Sequence, residues 1–279
     1  MNLEFYTIQN YLFIEEKCAT ISRQMPLRLR VEGNLPRLTP AEIMTIEVLG
    51  ESQGYWGNRS IWRYIDAHWR HFFPKLPEYK TFARLCSHCN AIRAEIVAGF
   101  ALNSTPISII DGVPLPLCKY ARAKRCKRFP LDADFSYCAA KDEKYYGLKG
   151  HCLLNSEKKI VGFSVCNPKI DERVVALDFL TIMKDFLIGD KGYISQKFEA
   201  ALNENGVELV TRTRKNMTEK YEENVLKQAM SVRKFIETTF STLIEDFGIN
   251  KNTAHSEQNW IAQLNRKIIA YNLTKSYIA

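Results

Sequence analysis

The chain has 279 residues, enough for one large domain or a small one joined to a medium one. Its 46% apolar and 25% charged residues fit a soluble globular protein, and no run approaches the roughly 20 apolar residues of a membrane span. Lysine and arginine number 39 against 31 acidic residues, so the net charge is +8, a balance that suits a polyanionic partner such as nucleic acid without requiring one.

Residues 1–22 carry Leu3, Ile8, Tyr11, Leu12 and Ile14, read as the apolar side of an amphipathic helix. Glu4 interrupts the first turn and no apolar core follows, so a signal peptide is not expected. With eight scattered cysteines, the expectation is a cytoplasmic protein with reduced thiols. A basic, proline-containing connector runs from Gln24 to Arg37. Thr39-Pro40-Ala41-Glu42 is a helix start: Thr39 caps, Pro40 takes the first turn and Glu42 closes a capping box. Ile43 and Ile46 begin the buried face of that helix, and Gly50 is expected to end it. Asn58 is expected to cap another, with Ile61, Ile65, Trp69 and Phe72 on one stripe and Arg59, Arg63 and Arg70 left for solvent or phosphate. Phe82, Leu85, Cys89, Ile92 and Ile96 predict a fourth helix. The first hundred residues therefore read as all-helical. Two readings stand side by side for them: a helix-turn-helix that reads DNA, or a bundle that reads nothing.

At Pro106 the pattern changes. Ile107 to Ile110 reads as a strand ended by Asp111-Gly112. Lys119 to Arg128 holds six basic residues in ten positions, a solvated loop or one that tracks a phosphate backbone. Gly150–Leu154 and Ile160–Val165 flank a short polar turn and predict a β-hairpin. Asp171 to Met183 reads as helix, with Val174, Leu177, Leu180 and Ile182 apolar. Phe186-Leu187-Ile188 then runs into Gly189-Asp190-Lys191-Gly192, a buried strand with Asp190 at its C-terminal edge. A helix over Ser195–Asn203, a strand over Val207–Val210 and a long helix over roughly Val232–Phe247 follow. On the long helix Glu237 sits one turn after Arg233. A final helix carries Ile261, Leu264, Ile268 and Tyr271.

This order predicts a mixed α/β sheet with helices on its faces. If the strands that carry Asp111 and Asp190 are neighbours, both carboxylates lie at one edge, where open α/β sheets bind ligands. A helix across that edge can bring Glu237. Three clustered carboxylates repel one another unless a cation neutralises them, and hard oxygen ligands select Mg²⁺ or Mn²⁺. Two such ions serve displacement at phosphorus.

Asp111 in Ile-Ile-Asp-Gly, Tyr146-Gly-Leu-Lys149-Gly-His151, Asp190 in Gly-Asp-Lys-Gly-Tyr and Arg233-x-x-x-Glu237-x-x-Phe240 together resemble bacterial insertion-sequence transposases of the Asp-Asp-Glu class. The closest type is that catalogued under insertion sequence nine-eight-two. The similarity runs through most of the chain and includes Leu76 to Phe82. It implies an RNase H-like catalytic domain over 104–279 after a helical DNA-end recognition region over 1–103. It implies Asp111, Asp190 and Glu237 as catalytic residues and ligands of two Mg²⁺ or Mn²⁺ ions. Lys149, His151, Lys191 and Arg233 become candidates for contacting DNA. Partners would be the element's terminal inverted repeats, target DNA and a second copy of the chain. Related families carry a Tyr three residues before the Arg and a Lys seven after the Glu; here these are Met230 and Ile244, which leaves such roles unsupported. Two other readings remain: a structure-selective nuclease of the same fold that only hydrolyses, and a basic DNA-binding protein with no catalysis.

Cys86-Ser87-His88-Cys89 has the spacing of half a zinc site, but no second Cys-x-x-Cys exists and Cys89 falls on an apolar stripe. Trp56, Trp62 and Trp69 read as helix packing rather than base-stacking platforms, and no Gly-rich phosphate loop indicates ATP use.

Overall fold

The computed structural model describes residues 2–23, 36–129, 132–138, 142–252 and 254–278; most of the connector expected at 24–37 lies outside them. The chain divides into two compact units, Met1–Val97 with Leu243–Ala279, and Ala98–Thr242. The first unit is thus made from both ends of the chain.

The first unit contains α1 (Leu3–Ser22), α2 (Pro40–Ser52), α3 (Asn58–His68), α4 (Tyr79–His88), α5 (Asn90–Gly99) and α9 (Glu257–Ile278). Its core helix is α2, buried along nearly its whole length. The capping box forms as expected: the Glu42 N–H donates to Thr39 Oγ1 at 3.1 Å, and the Thr39 N–H to Glu42 Oε2 at 2.7 Å. Gly50 does not end α2. It lies within it, because a Cβ there would meet Ile61 at 2.7 Å, so the glycine lets α3 approach. Asn58 is the first residue of α3 and not its cap, since Gly57 precedes it without a side-chain cap. In α1 the expected stripe holds at Ile14 and in part at half-buried Leu3 and Tyr11, whereas Ile8 and Leu12 are exposed; the buried face is Tyr6, Thr7, Asn10, Ile14, Cys18 and Ile21. The four-residue spacing of that face passes through polar Asn10, which hid it from an apolar count. The fourth expected helix is two, α4 and α5, broken at Cys89. Its five apolar positions are all buried nonetheless. Cys86 and Cys89 both belong to this core, and burial pushes the Cys89 thiol up to about 12.

Among the described residues, five charged side chains are buried in this unit. Arg93 on α5 donates two nitrogens to Glu47 on α2, at 2.6 Å for the closest approach. Arg266 on α9 binds Glu51 at 2.6 Å and Lys267 binds it at 2.9 Å. Arg266 also donates to Asn58 Oδ1, and Lys267 to the Phe247 carbonyl. Burial holds Lys267 down at about 8, while Glu51 pulls the other way.

The second unit is built on β1 (Ile107–Pro116), β2 (Asp134–Cys138), β3 (Glu143–Asn155), β4 (Ile160–Cys166), β5 (Phe186–Ile188) and β6 (Glu208–Val210). One mixed sheet holds them. β1 pairs antiparallel with β3 and parallel with β5, and β5 pairs parallel with β6. β2 and β4 pair antiparallel with successive parts of β3, on the edge away from β1. The hairpin turn between β3 and β4 is organised by Asn155, whose Oδ1 accepts from the N–H groups of Glu157 and Lys159. α6 (Glu172–Leu177) and α7 (Gln196–Glu204) contribute Ala176, Phe198 and Leu202 to one core with Ile110, Leu153 and Leu187. Of the apolar face expected of Asp171–Met183, Leu177, Leu180 and Ile182 pack partly buried against the core and Val174 is exposed; the fully buried positions are Val175, Ala176, Phe179 and Met183, because α6 is only six residues and turns continue it. α8 (Glu223–Glu245) begins nine residues earlier than expected and lies in this unit up to Thr242. β2 was not expected at all; Asp134–Cys138 alternates half-buried and exposed residues, as an edge strand does. In Tyr120–Arg125 the basic run forms 3₁₀ turns with Arg122, Lys124 and Arg125 exposed.

Candidate active site

β1 and β5 run parallel with Ile109 opposite Ile188. Two residues further along each strand come Asp111 and Asp190, so the register brings them side by side. Asp111 does not end β1, as expected, but sits in its middle, where β5 has stopped and β3 continues opposite, with Asp111 paired to Cys152. Beyond β5 the chain turns. Asp190 caps the 3₁₀ turn Lys191–Tyr193, its Oδ1 accepting from the Gly192 N–H at 2.8 Å. Gly189 is required by close approach: a Cβ would meet the Tyr193 ring at 2.9 Å.

Arg233, on α8, reaches this edge. It donates Nη2 to Asp111 Oδ2 at 3.2 Å and holds Nη1 3.6 Å from Glu237 Oε1, so one guanidinium stands between the two carboxylates. Asp111 and Glu237 therefore share a neighbour without touching. Burial raises the pKa of Asp111; the Gly112 N–H and Arg233 lower it, and Asp190 and Glu172 raise it further. Asp111 thus lies within the field of Asp190 and Glu172.

Glu172 is the residue that sequence reasoning passed over. It stands in the first turn of α6, binds Lys149 of β3, and lies beside the hydroxyl of buried Tyr193. The pKa of Tyr193 is raised by burial first, then by Glu172, Asp111 and Asp190, which places all four groups in one neighbourhood. The available signal was the Asp171-Glu172 pair just before an apolar run, a helix start at the sheet's end. Lys149 lies across Gly112, where a Cβ would meet its Cε at 2.4 Å, so that glycine clears a path for the amine beside Asp111.

His151 is fully buried on β3, and neither ring nitrogen has a hydrogen-bond partner among the described residues. Its pKa falls to about 4, through burial first and Lys149 next. A buried neutral imidazole offers no surface to a phosphate, so the expected DNA contact at His151 is corrected. Lys191 is exposed; Lys149 and Arg233 are half-buried and engaged with carboxylates.

Four carboxylates (Asp111, Asp190, Glu172, Glu237) and two cations (Lys149, Arg233) leave a local charge of −2. That excess, with burial of Asp111, suits a divalent cation. Among the described residues, however, no three His, Cys, Asp or Glu side chains converge as ready ligands. Asp111 and Asp190 come together through the strand register; Glu237 joins only through Arg233.

A mixed sheet with one carboxylate in mid-β1 and another just past the end of its parallel neighbour β5, with basic side chains beside them, defines an α/β protein equipped to handle an anionic substrate. Residues 102–257, more than half of the chain, match the family described as Transposase DDE domain. The chain belongs to that family. Membership makes it a transposase-class enzyme of DNA transposition and recombination, part of a transposable element, with DNA as substrate. No curated protein matches the chain. The matched stretch contains Asp111, Asp190, Glu172 and Glu237. No described helix is long and apolar enough to cross a membrane.

Proposed function

We propose that the chain cuts insertion-sequence ends and joins them to target DNA by divalent-metal-assisted phosphodiester chemistry, with Asp111, Asp190 and Glu237 as the catalytic carboxylates. The observation that carries this reading is the parallel β1–β5 register, which sets Asp111 beside Asp190 at one sheet edge. A strand order with β4, β3 and β1 antiparallel and β5 and β6 parallel beyond them supports an RNase H-like fold.

Asp111, Asp190 and Glu237 would hold two Mg²⁺ or Mn²⁺ ions, which when bound supply an activated attacking oxygen and a stabilised leaving oxygen. The chain's own residues do the rest. The Gly192 N–H fixes the Asp190 carboxylate before substrate arrives. Arg233 must leave the space between Asp111 and Glu237 for these to act together, and a DNA phosphate is an anion able to take the guanidinium away. Lys149 and Lys191 add positive charge to either side of the scissile backbone. Water attacks phosphorus and the P–O3′ bond breaks, freeing a 3′-hydroxyl and leaving a 5′-phosphate; that hydroxyl then attacks a target phosphodiester, whose own 3′-oxygen leaves as the new bond forms. The helical residues 1–103 recognise the terminal repeats, and two copies of the chain hold the two ends. The resemblance in Ile-Ile-Asp-Gly, Gly-Asp-Lys-Gly-Tyr and Arg-x-x-x-Glu supports a bacterial insertion sequence of the nine-eight-two type acting in the cytoplasm.

Asp190→Asn tests the assignment. Mg²⁺-dependent cleavage of DNA that carries the element's ends is expected to vanish while binding of that DNA persists. Cleavage retained in the variant would overturn it, and wild-type hydrolysis without any joined product would reduce the enzyme to a nuclease.

A further inference from the structure

The helical unit contains an open groove of about 800 Å³ lined by Tyr55, Arg59, Arg63, Tyr64, His68 and Tyr79. No carboxylate lines it. Tyr55 and Tyr64 stack with centroids 4.4 Å apart and planes 20° from parallel, and His68 packs near Tyr64 at 5.3 Å with its plane tilted by 46°. Tyr55 is 38% exposed although Tyr64 covers one of its faces, so the rest of the ring is offered to solvent. Arg59 lies over the Tyr79 ring at 4.7 Å, which holds its guanidinium at the groove's wall. Arg59 and Arg63 are exposed and have no ion-pair partner among the described residues.

Stacked aromatic rings that end on a solvent-facing face waste apolar surface unless another flat ring completes the column. Two unpaired guanidinium groups beside them supply the charge for a phosphate backbone. A base inside a duplex has both faces covered by its neighbours, so only an unpaired nucleotide can present a face to Tyr55. We propose that this groove binds an unpaired stretch of single-stranded DNA, one base stacking on Tyr55 and the adjoining phosphates meeting Arg59 and Arg63. The proposal rests on the transposase reading only in naming DNA as the polyanion.

The test uses the full chain without divalent metal, so that nothing is cut, and follows fluorescence anisotropy of a labelled oligothymidylate of about twelve nucleotides. A labelled duplex of mixed sequence is run in parallel. Tyr55→Leu keeps an apolar side chain but removes the π face; it is expected to weaken single-strand binding about tenfold. Tyr55→Phe is expected to restore it, and duplex affinity to change less than about twofold. Arg59→Gln with Arg63→Gln is expected to flatten the single-strand salt dependence by about 1.4 in log–log slope. That pair alters exposed side chains only, so it reports even where Tyr55→Leu fails to fold. Single-strand binding that is unchanged in both variants, or lost equally on duplex, would overturn the groove. Cleavage and joining by the wild type with Mg²⁺ are measured alongside. Joining with groove variants that bind like wild type sinks the groove alone; groove-dependent binding with no cleavage sinks the catalytic reading alone.

Discussion

Two places in this chain bring carboxylates against cations, and they solve the problem in opposite ways. In the helical unit Glu47 and Glu51 meet Arg93, Arg266 and Lys267 with every side chain 3% exposed or less. Each acid is held by two cations, and backbone carbonyls and Asn58 accept further donors. In the sheet unit Asp111, Arg233 and Glu237 form an open chain, with exposures of 22%, 25% and 59%. Here the acids outnumber the cation, the reverse of the helical cluster with its two acids and three cations, and the one guanidinium bridges two acids at 3.2 and 3.6 Å, without the close bidentate fit of Arg93. Acids that are shielded and each held by two cations organise a core; acids that are half-shielded and outnumber their cations are available to a ligand.

The contrast can be broken most severely at Glu51. Glu51→Gln removes one acid from between Arg266 and Lys267 and leaves buried positive charge unmatched, with an expected loss of about 3–5 kcal/mol in urea unfolding. A loss below about 1 kcal/mol would show that the cluster relaxes and is no structural keystone. Next comes His151. Its folded pKa of about 4 lies below its ordinary value of 6.5, so the unfolded chain binds the proton first as pH falls. Stability is complete above 6.5 and is lost as pH drops toward 4, by up to about 1.4 kcal/mol per pH unit for this one group. Urea midpoints of wild type and His151→Leu across that range should diverge in this sense, and parallel curves would refute it.

Arg233 gives a smaller and more informative effect. Arg233→Gln frees Asp111 and Glu237 of their resident guanidinium, so calorimetric titration with Mn²⁺ alone should show binding up to about fivefold tighter. Weaker binding would mean that the guanidinium assists metal capture. The least effect on stability is expected at Glu237. Glu237→Gln breaks a long, exposed i, i+4 contact, and its unfolding midpoint should correspond to a change within about 0.5 kcal/mol. A loss comparable with that of Glu51→Gln would place Glu237 in a structural network.

What was legible in the sequence was local. The Thr39–Glu42 capping box, the Asn155 turn, the buried positions from Phe82 to Ile96 and the strand before Asp190 are written in adjacent residues, and each formed. The neighbourhood of β1 and β5, a condition for the two aspartates to meet, is fulfilled: Ile107–Ile109 pairs in parallel with Phe186–Ile188, and β5 takes β6 as a second parallel partner on its other side. Illegible were features decided by distant partners. Asp111 was expected to end its strand because Gly112 follows, yet β3 runs on opposite it and keeps the ladder going to Pro116. His151 was a candidate for DNA contact only through the resemblance, whereas the sheet encloses it. Glu172 drew no attention because its partner lies on another strand. The buried ion cluster was invisible for the same reason: Glu51 and Arg266 are separated by 215 positions.

That separation has a consequence for how the molecule is made. During synthesis Glu47 and Glu51 leave the ribosome long before Arg266 and Lys267, and the whole sheet unit is translated in between. The nascent chain therefore carries an unfinished helical core, with two acids awaiting their counter-charges, while the intervening unit can already fold. The helical unit can close only after α9 has emerged. A chain cut short before α9 would possess the sheet edge and lack the closed core.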